Sequence, residues 1–259
     1  MTTTTRIPPV VLIIAGNDPS GGAGICADTQ AVTALHCHPA PVISCLTVQD
    51  TVNAYAVEPM PAKLVRDQAE AVLADMPVAA IKLGLLGTAE IAREVSALLA
   101  AHPGIPVVTD PVLVAAGGAR LAAQDIAAIY LEQLLPRSSV LTPNAAELRA
   151  LAGDDGSRED KARRLLEHGP RWVLAKGGDE DTEDVRNLLV GETDNYEWSW
   201  VRTAGEHHGS GCTLAASIAA RIALGDDIPA AVEAAQRFTQ RAIAEGWQLG
   251  RGQRIPARR

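Results

Sequence analysis

Residues 10–24 read Val10-Val11-Leu12-Ile13-Ile14-Ala15-Gly16-Asn17-Asp18-Pro19-Ser20-Gly21-Gly22-Ala23-Gly24. The short, unbroken aliphatic run suits a strand covered on both faces. The four glycines behind it let a backbone approach a ligand closely, and residues 25–36 then carry apolar side chains at helical spacing. The same unit repeats outward along the chain. Apolar runs at 40–46, 79–83, 107–110, 140–142 and 172–176 alternate with helical spacing at 63–75, 89–101, 122–134, 145–152 and 158–168. This rhythm predicts an α/β fold, a mostly parallel central sheet flanked by helices on both faces.

The rhythm breaks once. Runs at 186–190 and 196–202 are joined by Gly191-Glu192-Thr193-Asp194-Asn195, which predicts an antiparallel hairpin near one sheet edge. Two final helices follow at about 211–224 and 228–245. A chain of 259 residues can bury the core of one domain or of two small ones. With no internal repeat and no low-complexity linker, a single domain over 1–259 is expected, with 1–8 and 254–259 as flexible tails. Arg251, Arg254, Arg258 and Arg259 belong to that solvated end.

Composition excludes several partners. A net charge of −8 provides no basic footprint for nucleic acid, and 3% aromatic content no stacking platform. No stretch has the length of a membrane span or the form of a signal peptide. The four cysteines fit a reducing compartment, so a cytoplasmic location is expected. His36-Cys37-His38 has ligand-type residues, but alternate positions rarely converge on one ion.

In an open parallel sheet, ligands collect at the carboxyl ends of the strands, and suggestive residues fall there. Residues 16–24 form a glycine loop that is neither a Walker A loop nor G-x-G-x-x-G. Asp110 closes a strand and suits a magnesium ion or its water, or a turn. Asn144 with Glu147 three residues on suits a phosphate-metal site or a helix capping box. Lys176 at a strand end suits a nucleotide phosphate or solvent. Gly205-Glu206-His207-His208-Gly209-Ser210-Gly211-Cys212-Thr213 feeds an alanine-rich helix, and its unpaired N–H groups and helix dipole suit an anion. Together these groups favour phosphoryl transfer.

In the same order the chain carries Ile14 to Ile25, Leu46-Thr47-Val48-Gln49-Asp50-Thr51, Lys82-Leu83-Gly84-Leu85-Leu86, Asp110-Pro111-Val112, Thr142-Pro143-Asn144 with Glu147, Lys176-Gly177-Gly178, and His208 to Thr213. Over residues 8–255 it resembles the bacterial hydroxymethylpyrimidine/phosphomethylpyrimidine kinases of thiamine biosynthesis, within the ribokinase-like superfamily. The resemblance implies a homodimer that uses ATP and Mg²⁺. It implies a pyrimidine pocket formed by Gly16, Ala23, Asp28, Gln49, Leu85 and Val112. Asn144, Lys176 and Gly177 would meet the nucleotide, and Asp110 and Glu147 would organise magnesium. Gly209, Ser210, Gly211 and Cys212 would form the anion hole.

Two roles fit Cys212: a thiolate base, favoured by the helix N-terminus, or a group that positions the hydroxymethyl oxygen. Pyridoxal kinase and a weakly active pyrimidine-binding regulatory protein are alternative readings. The chain departs from the family pattern at residues 114–119, at Cys26 and at Asp179, which implies altered substrate range or only one of two phosphorylations.

Overall fold

The computed structural model describes residues 7–113 and 123–259. The departure at residues 114–119 lies outside them. The strands are β1 (Val10–Asn17), β2 (His38–Gln49), β3 (Ala54–Pro59), β4 (Val78–Leu83), β5 (Val107–Thr109), β6 (Val140–Leu141), β7 (Trp172–Ala175), β8 (Asp184–Val190) and β9 (Asn195–Val201). The helices are α1 (Gly24–Ala34), α2 (Ala62–Asp75), α3 (Ala89–Ala101), α4 (Ala123–Ile129), α5 (Ala145–Ala152), α6 (Arg158–Leu166), α7 (Ser210–Ala223) and α8 (Ile228–Ala244). The helix expected to run to 134 changes pitch after α4, continuing as a π-helical turn over Tyr130–Leu134.

The nine strands of the described residues join one sheet in the order β3-β2-β1-β4-β5-β6-β7-β8-β9. The six central strands are parallel. The expected hairpin, β8 with β9, closes one edge. The other edge is also antiparallel, because β3 pairs back onto β2. Sequence reading misses β3: its side chains are largely exposed, so no apolar run marks it.

β1 is buried along its length, and its alternate residues feed two cores. Leu12 and Ile14 pack under α2, α3, α4, α5 and α6. Val11, Ile13 and Ala15 pack under α1, α7 and α8. Sheet order reverses at β1, whose neighbours are β2 and β4. The loops leaving β1 and β4 diverge there and open a crevice at the carboxyl ends of the strands.

The end of the chain is not a solvated tail. Trp247 and Ile255 pair in both directions, and Ala257 N–H donates to Ala242 O. Ile255, Ala257 and Arg258 are buried.

Candidate active site

The crevice is walled by two glycine loops that touch. After β1, Asp18 turns its carboxylate back into its own loop. It accepts from Ser20 N (2.8 Å), Ala23 N (2.7 Å) and Ser20 Oγ (2.9 Å). His208 Nε2 lies 2.9 Å from Asp18 Oδ2. Burial alone would raise this acid, but the hydrogen bonds from His208, Ser20 and the backbone outweigh it and hold the pKa at about 2. The same Nε2 is 3.1 Å from the Gln49 amide nitrogen, Nε2. With the His208 Nε2 proton directed to Asp18, two donors would meet at Gln49, so the amide turned over, with its oxygen toward His208 and its NH₂ facing away, satisfies all three groups.

Gly209 precedes α7 with φ 76° and ψ 18°, a left-handed conformation that favours glycine. A Cβ on Gly209 would sit 2.0 Å from the Gly22 carbonyl oxygen, and one on Gly22 would sit 2.3 Å from the His208 ring. The absence of side chains therefore lets the loops interlock. Gly209 also brings no side-chain cap to α7. The first-turn N–H groups stay available at the positive end of the dipole, and Cys212 stands among them.

Across the crevice, Lys176 Nζ is 2.9 Å from Asp110 Oδ1, which also accepts from Thr142 Oγ1 at 3.1 Å. Burial would raise Asp110, yet the ammonium groups of Lys176 and Lys82 and these hydrogen bonds hold it below the usual carboxylate range. Asn144 and Glu147 form the capping box of α5, each side chain accepting from the other's backbone N–H (2.9 and 2.8 Å). Burial, with some repulsion from Asp110, pushes Glu147 up to about 7. Among the described residues, Asp110 Oδ2 and Glu147 Oε1 have no hydrogen-bond donor, so each acid keeps one oxygen for a ligand. No cluster of three metal-ligating side chains forms among those residues. Two carboxylates fit Mg²⁺, which takes few protein oxygens and fills its shell with water and phosphate.

One cavity of about 840 Å³ brings together ten of the expected residues: Ala23, Asp110, Val112, Asn144, Glu147, Lys176, Gly209, Ser210, Gly211 and Cys212. The remaining five lie outside its walls. Gly16 is packing: a Cβ there would meet Cys45 Sγ at 2.7 Å and Leu85 at 3.3 Å. Gln49 connects to the cavity through His208. Gly177 spends its N–H on Asn187 Oδ1, and a Cβ would meet the Arg186 carbonyl at 2.1 Å, so it seats β7 against β8 rather than holding a phosphate. The acidic stretch after Gly178 is exposed as expected, with residues 179–181 bordering the cavity.

Asp28 is corrected from pocket wall to foundation. It is fully buried on α1 and bonded at 2.6 Å to Lys82 Nζ, itself fully buried in β4. Burial pushes Asp28 up to about 6 despite the ammonium. A lysine inside the apolar run of 78–83 is the signal that would have revealed this pair. Asp18 and His208 stand in the quoted motifs, yet only folding shows that they clasp each other.

The thiol also departs from expectation. The helix N-terminus favours a thiolate, but burial pushes Cys212 up to about 11, with Lys82 and the Gly24 backbone opposing only in part. All four cysteines are free.

The phosphomethylpyrimidine kinase family model matches residues 18–257. The hydroxymethylpyrimidine/phosphomethylpyrimidine kinase of Synechococcus elongatus is 39% identical over 260 residues, covering 95% of each chain. Its namesake from Streptomyces coelicolor is 38% identical over 253 residues, covering 95% of this chain and 92% of that one. Among solved structures, an ADP complex of Bacillus subtilis pyridoxal kinase superposes with a TM-score of 0.90 at 27% identity, covering 96% of this chain and 97% of that chain.

Proposed function

Because the chain belongs to the phosphomethylpyrimidine kinase family, we propose that it transfers the γ-phosphoryl group of ATP to 4-amino-5-hydroxymethyl-2-methylpyrimidine, its monophosphate, or both, in thiamine biosynthesis. The observation that carries this reading is the α7 anion turn facing Asp110, Lys176 and Glu147 across one cavity. Phosphoryl transfer needs alignment and charge stabilisation more than covalent help. The α7 amides supply fixed donors for the charge that develops on the phosphoryl oxygens. Lys176 supplies a mobile point charge for a nucleotide phosphate. Asp110 and Glu147 are the residues that would hold Mg²⁺, which neutralises phosphate charge when bound.

On the acceptor side, Ala23 and Val112 border the turn, and Gln49, set by His208, offers amide donors to a ring nitrogen. Leu85 packs beside Gly16 at the end of β1, outside the cavity walls. Cys212 has the position to align the hydroxymethyl oxygen, and its raised pKa favours alignment by the neutral thiol over proton abstraction. Pyridoxal kinase enters as a structural neighbour, whereas the family match and the curated relatives point to the pyrimidine.

The test is ADP release with ATP, Mg²⁺ and each pyrimidine, run beside pyridoxal at equal concentration. Turnover with a pyrimidine above that with pyridoxal is expected, and Gln49→Leu should penalise the pyrimidine more. No turnover with either pyrimidine overturns the assignment. We further propose a cytoplasmic homodimer; no described helix is long and apolar enough to cross a membrane.

A further inference from the structure

The last residues of the chain return across both glycine loops. Arg254 N–H donates to Glu206 O and its carbonyl accepts from His208 N–H (2.9 and 2.8 Å), pinning the approach to the anion turn. Further on, Arg258 turns inward until 7% of its surface remains exposed. Its guanidinium reaches three elements at once. Nε donates to Thr213 Oγ1 on α7 at 2.7 Å, and Nη1 donates to Gln30 Oε1 on α1 at 3.1 Å. Nη1 and Nη2 also meet the carbonyls of Gly21 and Gly22. The Thr213 hydroxyl passes the connection on, donating to Gly209 O at 2.8 Å.

All of these acceptors are neutral. Among the described residues, no carboxylate lies within ion-pair distance of Arg258, although its neighbour Arg259 pairs with Glu245. Asp18 and Asp28 attract the guanidinium from beyond contact, and a buried charge without a direct ion pair is costly and persists only where its hydrogen bonds are met. Here the planar fork meets four groups in fixed directions, which an ammonium could not do. The groups it joins are the backbone of the substrate-side loop and the residue that holds Gly209.

We propose that Arg258 is a positioning residue for phosphoryl transfer, fixing the spacing between the Gly21–Gly22 backbone and the α7 anion turn. This rests on the kinase reading for its kinetic consequence but not for its structural one. A displacement of the donors by about 1 Å costs on the order of 100-fold in rate, with little change in substrate affinity.

The experiment compares wild type with Arg258→Ala, Arg258→Lys and, as control, the exposed Arg259→Ala. Arg258→Ala is expected to lose about 100-fold in kcat with KM for the pyrimidine within about threefold. Ethylguanidinium added in solution should recover part of that loss by restoring the planar donor fork, Arg258→Lys should recover little, and Arg259→Ala should match wild type. Hydrogen exchange at the Thr213 amide, which donates to Gly209 O, measured without substrate, should speed up in Arg258→Ala while the rest of α7 keeps its protection. Unchanged exchange and kcat overturn the proposal, as does uniform loosening that guanidinium does not rescue. If Arg258→Ala does not fold, exchange in Arg258→Lys decides: local loosening at the Thr213 amide supports the role, and none overturns it. An inactive wild type would defeat the kinase reading while the exchange result still decides the spacing.

Discussion

At the scale of single residues, two pKa values decide how the site behaves. Cys212 stands where a helix dipole favours a thiolate, yet burial sets its pKa at about 11. At pH 7 only about one thiol in ten thousand is then ionised. A base of this kind would make kcat climb about tenfold per pH unit between 7 and 10, because the deprotonated form accepts the proton. We expect instead a kcat flat in this group across pH 7–9. Cys212→Ala should lose about 100-fold in kcat while pyrimidine binding changes little; a steep rise with pH would return the thiol to the role of base.

Glu147 titrates in the working range, its carboxyl raised to about 7 mainly by burial. Mg²⁺ needs the ionised form, so affinity should fall as pH drops from 8 to 6. In Glu147→Gln, Mg²⁺ affinity should be weak and independent of pH, as titration calorimetry with Mg²⁺ in the presence of ADP can show.

At the scale of elements, glycines serve two different purposes. Gly209 combines a positive φ with contact against the opposite loop, where a Cβ would lie 2.0 Å from the Gly22 carbonyl. Gly209→Ala adds about 1–2 kcal/mol of backbone strain to that clash. It should lower both Tm and kcat because the displaced loops are the site. Gly177→Ala drives a methyl toward the Arg186 carbonyl, at a cost of roughly 1–3 kcal/mol from overpacking. It should lower Tm while the folded enzyme keeps its KM for ATP. Steady-state kinetics beside calorimetric melting separates the two. Neither role is legible in the glycines themselves, since both stand in glycine-rich turns behind strands. Their neighbours come from residues 22 and 186 and are set by packing.

At the scale of the whole molecule, the β2–β3 edge leaves Leu46, Val48 and Tyr55 exposed. Covering such side chains removes apolar surface from water, and a second copy of this chain is the partner proposed for this edge. Sedimentation should show a dimer for the wild type, with Val48→Glu shifting it toward monomer. A monomeric wild type would set the dimer aside. At the same scale, the reversal of strand order at β1 places the crevice, and the returning C-terminal segment braces it.

The alternation of apolar runs and helical spacing determined the parallel sheet, its two helical layers and the hairpin of β8 and β9. These depend on local periodicity, and each run carries its own burial pattern. The strand-end motifs likewise marked Asp110, Asn144, Glu147, Lys176 and the turn before α7. Only the tertiary structure decided the edge strand β3, the burial of Asp28 with Lys82, the packing duty of Gly177 and the inward turn of Arg258. Each depends on a partner far away in the chain. The charge state of Cys212 was decided in the same way: the helix start visible in the sequence favours the thiolate, but desolvation in the folded site is the larger effect.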